Sequence, residues 1–323
     1  MTLPRWLAHL LAIVGLCVAA SALSQSYPNR PIRLVLPYSP GGSYDAVARV
    51  LGQALSERLG QPVVIENRPG AASRIGTEVL VKSSPDGYAI GMFGNNLTIA
   101  PNVYRQVPYD IDRDLAPIGM VAIIAQMLVV HPSLPVKSAS QLIALAKAKP
   151  GALHFASGGT GGMTHLSGEL FKSMGGINLV HVPYKGSAPA MIDLITGQVQ
   201  LMLLNLLNAI PQVKSERLRG LAVSSLKRSR FVPGLPTLDE SGLKGYEIVE
   251  WYGMAAPART PQDIITRLHG EIVKIGGTED FRGKLAQQAA EVSLSTPAEL
   301  AAYMKADFAR NAKIVREAGI KPE

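Results

Sequence analysis

The chain has little sulfur chemistry to offer. It contains 1 cysteine in 323 residues, Cys17, and that residue lies in a segment read below as a removable leader. What remains can form no disulfide, presents no thiolate nucleophile and cannot bind a metal through sulfur. Beyond the leader, no apolar run reaches the roughly 20 residues that a membrane span requires. Charge of one sign is never concentrated. Lys and Arg number 32 against 24 Asp and Glu, a formal charge of +8, but only Lys227-Arg228-Ser229-Arg230 forms a cluster. A nucleic-acid surface is therefore not expected, and the excess amounts to a weak pull on small anions. Catalytic signatures are missing as well. There is no G-x-S-x-G elbow, no H-E-x-x-H and no G-x-x-x-x-G-K-[ST] loop, and the histidines at 131, 154, 165, 181 and 269 lack metal-ligand spacing. The reading is of a protein with no catalytic residues, metal or cofactor.

The length allows two domains, and a hydrophobic fraction of 47% is enough for real cores. At the start, Arg5 precedes an apolar run from Trp6 to Ala20, and Ala20-Ser21-Ala22 supplies small residues for cleavage. Residues 1–22 thus read as a secretory signal cut near Ala22, which implies export to the periplasm. Lipidation at Cys17 competes with this reading, but Leu16 stands where a small residue belongs.

The mature chain opens with a strand, a glycine loop and a helix. Ile32–Leu36 is strand-like, Gly41-Gly42 follows, and Val47, Val50, Leu51, Ala54, Leu55 and Leu59 then recur at helical spacing. Val63–Ile65 and a helix through Val81 repeat the pattern, and a Pro-Asp-Gly turn leads to a third strand. The segment from Val121 to Val130 is β-rich, and a helix spans Ser140 to Lys149. A glycine-rich turn and a helix return in "FASGGTGGMTHLSGELFKSMG". Alternation of this kind predicts an α/β fold in which each of two lobes is a mostly parallel sheet flanked by helices. "EIVEWYGMAAPARTP" reads as a Gly/Pro-rich loop ahead of helices at Pro261–Ile275 and Pro297–Glu317. With no sheet of their own, these helices must cover the first lobe. The domains are then 23–127 plus 236–323, and 128–235, joined by two crossings.

Glycines before a helix start let a ligand approach amides that the helix leaves unpaired at its positive end. Gly41-Gly42 and Gly158-Gly159 are both suited to an anionic oxygen, with Ser39, Ser43, Ser157 and Thr160 adding hydroxyls. Such turns are also common without any ligand, so the pairing of two on two lobes carries the argument. His165 either contacts the ligand or caps its helix. Asp45 sits where a cap would, and Lys185 either neutralises an anion or simply faces solvent.

Four stretches resemble one family. They are "PIRLVLPYSPGGSYDAVARVLGQAL", "VVIENRPGAASRIGTEVLVKSSPDGYAI", the segment from Phe155 to Val199, and "WYGMAAPARTP". Together they are similar to the Bug-type periplasmic solute-binding receptors of tripartite tricarboxylate transporters, along essentially the whole mature chain. The resemblance implies a type II Venus flytrap that holds a small carboxylate between its lobes and delivers it to membrane permease subunits, as a monomer. It places ligand contacts at Tyr38, Ser39, Gly41, Gly42, Ser43 and Asp45, and at Ser157, Gly158, Gly159, Thr160 and His165. Tyr184, Lys185, Gly186 and Asn205 would also face the cleft. Arg74 replaces part of a longer glycine run and either reads a second carboxylate or faces solvent. Asn205 stands where an aspartate is common, which makes a ligand ammonium less expected. Two alternatives share much of this pattern: a ligand-sensing partner of a membrane kinase, and a secreted enzyme using Asp45 with His165.

Overall fold

A computed structural model describes residues 27–322. The leader assigned to residues 1–22 and its cleavage point lie outside the described residues.

The first half begins with β1 (Ile32–Leu36), α1 (Ser43–Leu59) and β2 (Val63–Asn67). Gly60, at φ +67, closes α1 in the left-handed conformation and returns its N–H to the Ser56 carbonyl. A 3₁₀ turn (Ala71–Ser73) leads to α2 (Arg74–Val81), β3 (Ala89–Phe93), α3 (Asn95–Val103), the short α4 (Ile111–Asp114) and β4 (Leu115–Val130). At 16 residues, β4 is about three times the usual strand length and carries the chain into the second half. There follow α5 (Ala139–Ala148), β5 (His154–Ser157), α6 (Met163–Gly175), β6 (Val180–Pro183), α7 (Ser187–Ile195), β7 (Leu201–Asn205), α8 (Leu206–Lys214) and β8 (Arg219–Val223). The chain then comes back through β9 (Val249–Pro257), α9 (Gln262–Gly276), α10 (Glu279–Ala286), β10 (Glu291–Val292) and α11 (Pro297–Glu317).

The strand order is β2-β1-β3-β9-β4-β7-β5-β6, with β8 and β10 also paired to β4. The α/β expectation holds, but the sheet is mixed rather than mostly parallel. The β1–β2, β1–β3, β5–β6 and β5–β7 pairs are parallel, whereas every pair made by β4 or β9 is antiparallel. The cause is the path of the chain, which leaves the first half along β4 and re-enters it along β9 in the opposite direction. Strand β9 itself corrects the reading of "EIVEWYGMAAPARTP" as a loop. It is a buried central strand, and its glycine is required by packing, since a Cβ on Gly253 would lie 2.9 Å from the Trp251 ring. Helix α10 was not anticipated either.

The halves meet at Gln126. Strand β4 pairs with β9 up to Ala125 and with β7 from Gln126 onward. Leu238, Leu243 and Tyr246 are buried with Leu128, Phe155 and Phe171 of the second half. The return therefore occurs at Ile248–Val249 and not at residue 236, because the intervening loop supplies core residues to the second half. Helix α11 is fastened to the first half by Asp307, which accepts from Thr98 Oγ1 at 2.5 Å and Trp251 Nε1 at 3.3 Å and pairs with Arg310.

Ser224 ties the two crossings together. Its hydroxyl donates to the Ile248 carbonyl at 2.6 Å and accepts from the Gln126 amide at 2.8 Å, and its own amide donates to the Gln126 carbonyl at 2.9 Å. The residue is fully buried, so an abandoned partner could not turn to water. Ser224→Ala should lower unfolding free energy by about 1–3 kcal/mol, read as a lower urea midpoint with unchanged slope; an unchanged midpoint would show that the hydroxyl is dispensable.

Candidate functional site

Four helices begin with a glycine N-cap and no side-chain cap: α1 after Gly42, α3 after Gly94, α6 after Gly162 and α7 after Gly186. Elsewhere Asp110, Ser138, Asn205, Thr278 and Thr296 cap their helices with side-chain oxygens. The distinction follows position. Residues from the first turns of all four glycine-capped helices, among them Tyr44, Asn95, Met163 and Ser187, line one cavity of about 230 Å³ that also touches Glu250. That volume lies below the roughly 300–1,000 Å³ of drug-sized pockets and suits a ligand of a few carbons. Unpaired amides and positive helix ends thus converge from both halves of the sheet.

The loops before α1 and α6 are built alike. Gly41 and Gly161 have φ of +83 and +73, and each is followed by a glycine N-cap in extended conformation, with ψ of 174 at Gly42 and 167 at Gly162. In each loop the first glycine's amide donates to a side chain four residues on. Gly41 reaches Asp45 Oδ2 at 2.9 Å and Gly161 reaches His165 Nδ1 at 3.0 Å. The counterpart of Gly41-Gly42 is therefore Gly161-Gly162, one turn of chain beyond the Gly158-Gly159 pair singled out from sequence. Gly158 lines the cavity, and it and Gly159 also have a second task. The Gly158 amide donates to Thr164 Oγ1 and its carbonyl accepts from the Gly186 amide, while the Gly159 amide donates to Ser157 Oγ. Together they lock the second loop against the start of α7. A Cβ on Gly158 would approach Ser187 Oγ to 2.8 Å.

Asp45 and His165 are loop-holding groups. Asp45 is buried and also accepts from Arg49 Nε at 2.9 Å and Asn67 Nδ2 at 3.0 Å. Burial would raise its carboxyl, but the bonds from Arg49, Gly41 and Asn67 outweigh that and hold it below its ordinary value. The bond from Gly161 fixes Nδ1 of His165 as acceptor, leaving Nε2 toward Glu169 at 3.7 Å. Its ring stacks on His181 at 3.7 Å, and His181 Nε2 lies 2.6 Å from Ser157 Oγ.

The other sequence candidates divide. Gly186 lines the cavity, and Ser43 Oγ donates to Glu250 Oε2 at 3.3 Å. Ser39, Thr160 and Lys185 are exposed. Tyr184 donates to Asp193 Oδ2 at 2.7 Å, and burial together with that carboxylate raises its hydroxyl to about 12. Arg74 is not among the cavity-lining residues. Its guanidinium donates to the Ala71 and Gln106 carbonyls and lies 3.9 Å over the Tyr104 ring. Tyr38 lines the cavity, and its ring stacks on Tyr44 at 3.8 Å, which in turn meets Tyr252 at 4.5 Å.

Sequence reasoning missed Asn95, Asn96, Tyr44, Ser187 and, above all, Glu250. Gly94 ahead of two asparagines was the available signal for α3; Glu250 gave none while its segment read as a loop. Glu250 accepts from Ser43, from Asn205 Nδ2 at 3.2 Å and from the Tyr252 hydroxyl at 3.1 Å. Removal from bulk water holds its carboxyl above the ordinary value despite these donors. Among the described residues, no group of three or more His, Cys, Asp and Glu is arranged to hold a metal ion.

Burial, reinforced by His165, lowers His181 from 6.5 to about 4. Below pH 6.5 the unfolded chain therefore takes up a proton that the native state refuses, so this stability is fully present above 6.5 and declines as pH falls toward 4. Urea midpoints measured across that window should fall less steeply for His181→Asn than for the parent chain; parallel profiles would remove the imidazole from the account.

Comparison with known proteins identifies the family. The family model described as "Tripartite tricarboxylate transporter family receptor" matches residues 47–320. Protein BugT of Bordetella pertussis is 35% identical over 320 residues, covering 97% of this chain and 98% of that one. Among solved structures, R. palustris Rpa4515 with adipate is 35% identical with a TM-score of 0.79, covering 92% of this chain and 100% of that one. MatC from Rhodopseudomonas palustris with bound malate is 26% identical with a TM-score of 0.74, covering 90% and 100%. With its fold and nearly its full described length matched in this way, the chain belongs to the tripartite tricarboxylate transporter receptor family.

Proposed function

We propose that this protein is a non-enzymatic periplasmic receptor that binds a small organic carboxylate between the two halves of its sheet and delivers it to the membrane permease subunits of a tripartite tricarboxylate transporter. The observation that carries the reading is the convergence of four glycine-capped helix starts on one cavity. No Lys, Arg or His is among the cavity-lining residues, so an anion would be held by backbone amides and hydroxyls. Charge-assisted hydrogen bonds contribute about 1.5–3 kcal/mol each and helix ends about 0.3–1 kcal/mol each. A handful of them reaches the roughly −8 kcal/mol of micromolar binding after the costs of closure. The adipate of Rpa4515 and the malate of MatC are ligands of the same class. Asp45 and His165, the pair that an enzyme reading would use, are bonded to loop glycines in opposite halves, which favours a receptor. Closure of the halves on the ligand would create the form that the permease recognises.

The first test is thermal denaturation of the leader-free protein, refolded to strip copurified ligand, against mono-, di- and tricarboxylates. A melting temperature that climbs with concentration of a carboxylate is expected; silence across the set would overturn the assignment. The amide mechanism has its own test at Ser43, the first residue of α1. Proline is tolerated at that helical position and Gly42 is already extended, so Ser43→Pro removes one N–H without breaking the helix. Calorimetric affinity for the responding carboxylate should fall tenfold or more in Ser43→Pro and less in Ser43→Ala, which keeps the amide. Equal losses would assign the effect to the hydroxyl.

A further inference from the structure

The cavity poses a problem of sign. It is built from positive helix ends, yet its one ionisable acidic or basic lining residue is Glu250, a carboxyl. Among the described residues no Lys, Arg or His forms an ion pair with it. A half-buried carboxyl without a cation carries a desolvation cost, and in its charged form it would repel a simple carboxylate bound beside it.

Its surroundings are made for an acceptor. Asn205 caps α8, with Oδ1 accepting from the Asn208 amide at 3.1 Å. That bond fixes Nδ2 as the atom facing Glu250, so Oε1 receives an obligate donor at 3.2 Å. Oε2 faces the hydroxyls of Ser43 and Tyr252. Beside it runs the stack of Tyr38, Tyr44 and Tyr252, and aromatic faces next to a carboxylate favour a cation. Because Ser43 both begins α1 and touches Glu250, the amides proposed to hold an anion lie next to this carboxyl.

Resting on the carboxylate-receptor reading, we propose that Glu250 selects a ligand bearing an ammonium group next to its carboxylate, an α-amino acid or close analogue, with the carboxylate on the α1 amides and the ammonium on Glu250. The asparagine at position 205 then does not argue against a ligand ammonium, because the carboxylate comes from the neighbouring β9 and Asn205 orients it.

The test uses calorimetry on the leader-free, ligand-stripped protein with acids that differ only in the α-ammonium: L-alanine against propionate, L-aspartate against succinate, and L-glutamate against glutarate. At least one amino acid should bind tenfold or more tighter than its partner, about 1.4 kcal/mol. Glu250→Gln should abolish that preference while melting at the same temperature as the parent chain. If Glu250→Gln fails to fold, the ratio in the parent protein decides alone. Desamino acids that bind as tightly as or tighter than the amino acids, or a preference that survives in Glu250→Gln, would overturn the inference and leave the carboxylate receptor standing. Failure of all six acids, together with silence in the wider carboxylate screen, would remove the receptor reading and the inference with it.

Discussion

A helix that starts just beyond the end of a strand must leave its first amides without partners in the helix, and a chain can satisfy them in only a few ways. Five helices here do so with a side-chain oxygen of their N-cap, at Asp110, Ser138, Asn205, Thr278 and Thr296. The four that face the cavity begin at glycine and leave the donors to whatever lies in front of them. The remaining features serve to hold those starts in place. The antiparallel centre of the sheet sets the distance between halves, Asp307 fastens α11 against α3, and the locked loops keep the glycines in conformations that few other residues adopt.

The two loop-holding side chains solve one geometric problem with different chemistry. A carboxylate at Asp45 and an imidazole at His165 each accept the N–H of a left-handed glycine four residues earlier. The loop is thereby rigid before any ligand arrives, which reduces the ordering cost of binding. On the receptor reading, both residues would serve recognition by shaping the loops.

Much of this was legible in the sequence. The β1–loop–α1 unit and the start of α6 follow from apolar periodicity and glycine placement, and capping was already an open reading for Asp45 and His165. What failed did so for physical reasons. Gly253 and Pro257 made β9 resemble a loop, although the glycine serves Trp251 and the proline ends the pairing at Leu115. With β9 unseen, Glu250 had no place in the cavity. Gly158 does line the cavity, but the pair that mirrors Gly41-Gly42 is Gly161-Gly162, and neighbouring glycine pairs look alike until their dihedral angles are known. Arg74 turned to Tyr104 because Ala71, Ala72 and Ser73 all take positive φ, from 47 to 73, and this twist aims the start of α2 elsewhere.

Strand β4 belongs to both halves, and beyond the two bulges it carries between Pro117 and Ala122 its side chains alternate between faces. It acts as a ruler as well as a connector. Inserting or deleting one residue near Gln126 would not simply lengthen a linker; it would reverse which face the following residues present and put the pairing with β7 and β8 out of phase with that of β9. On the receptor reading, movement between the halves would centre on twisting at Ala125–Gln126 and Ile248–Val249, where Ser224 joins the two paths. A cleft opening there would turn about an axis written into the strand ladder, and its two sets of amides would come back to the same facing positions each time it shut.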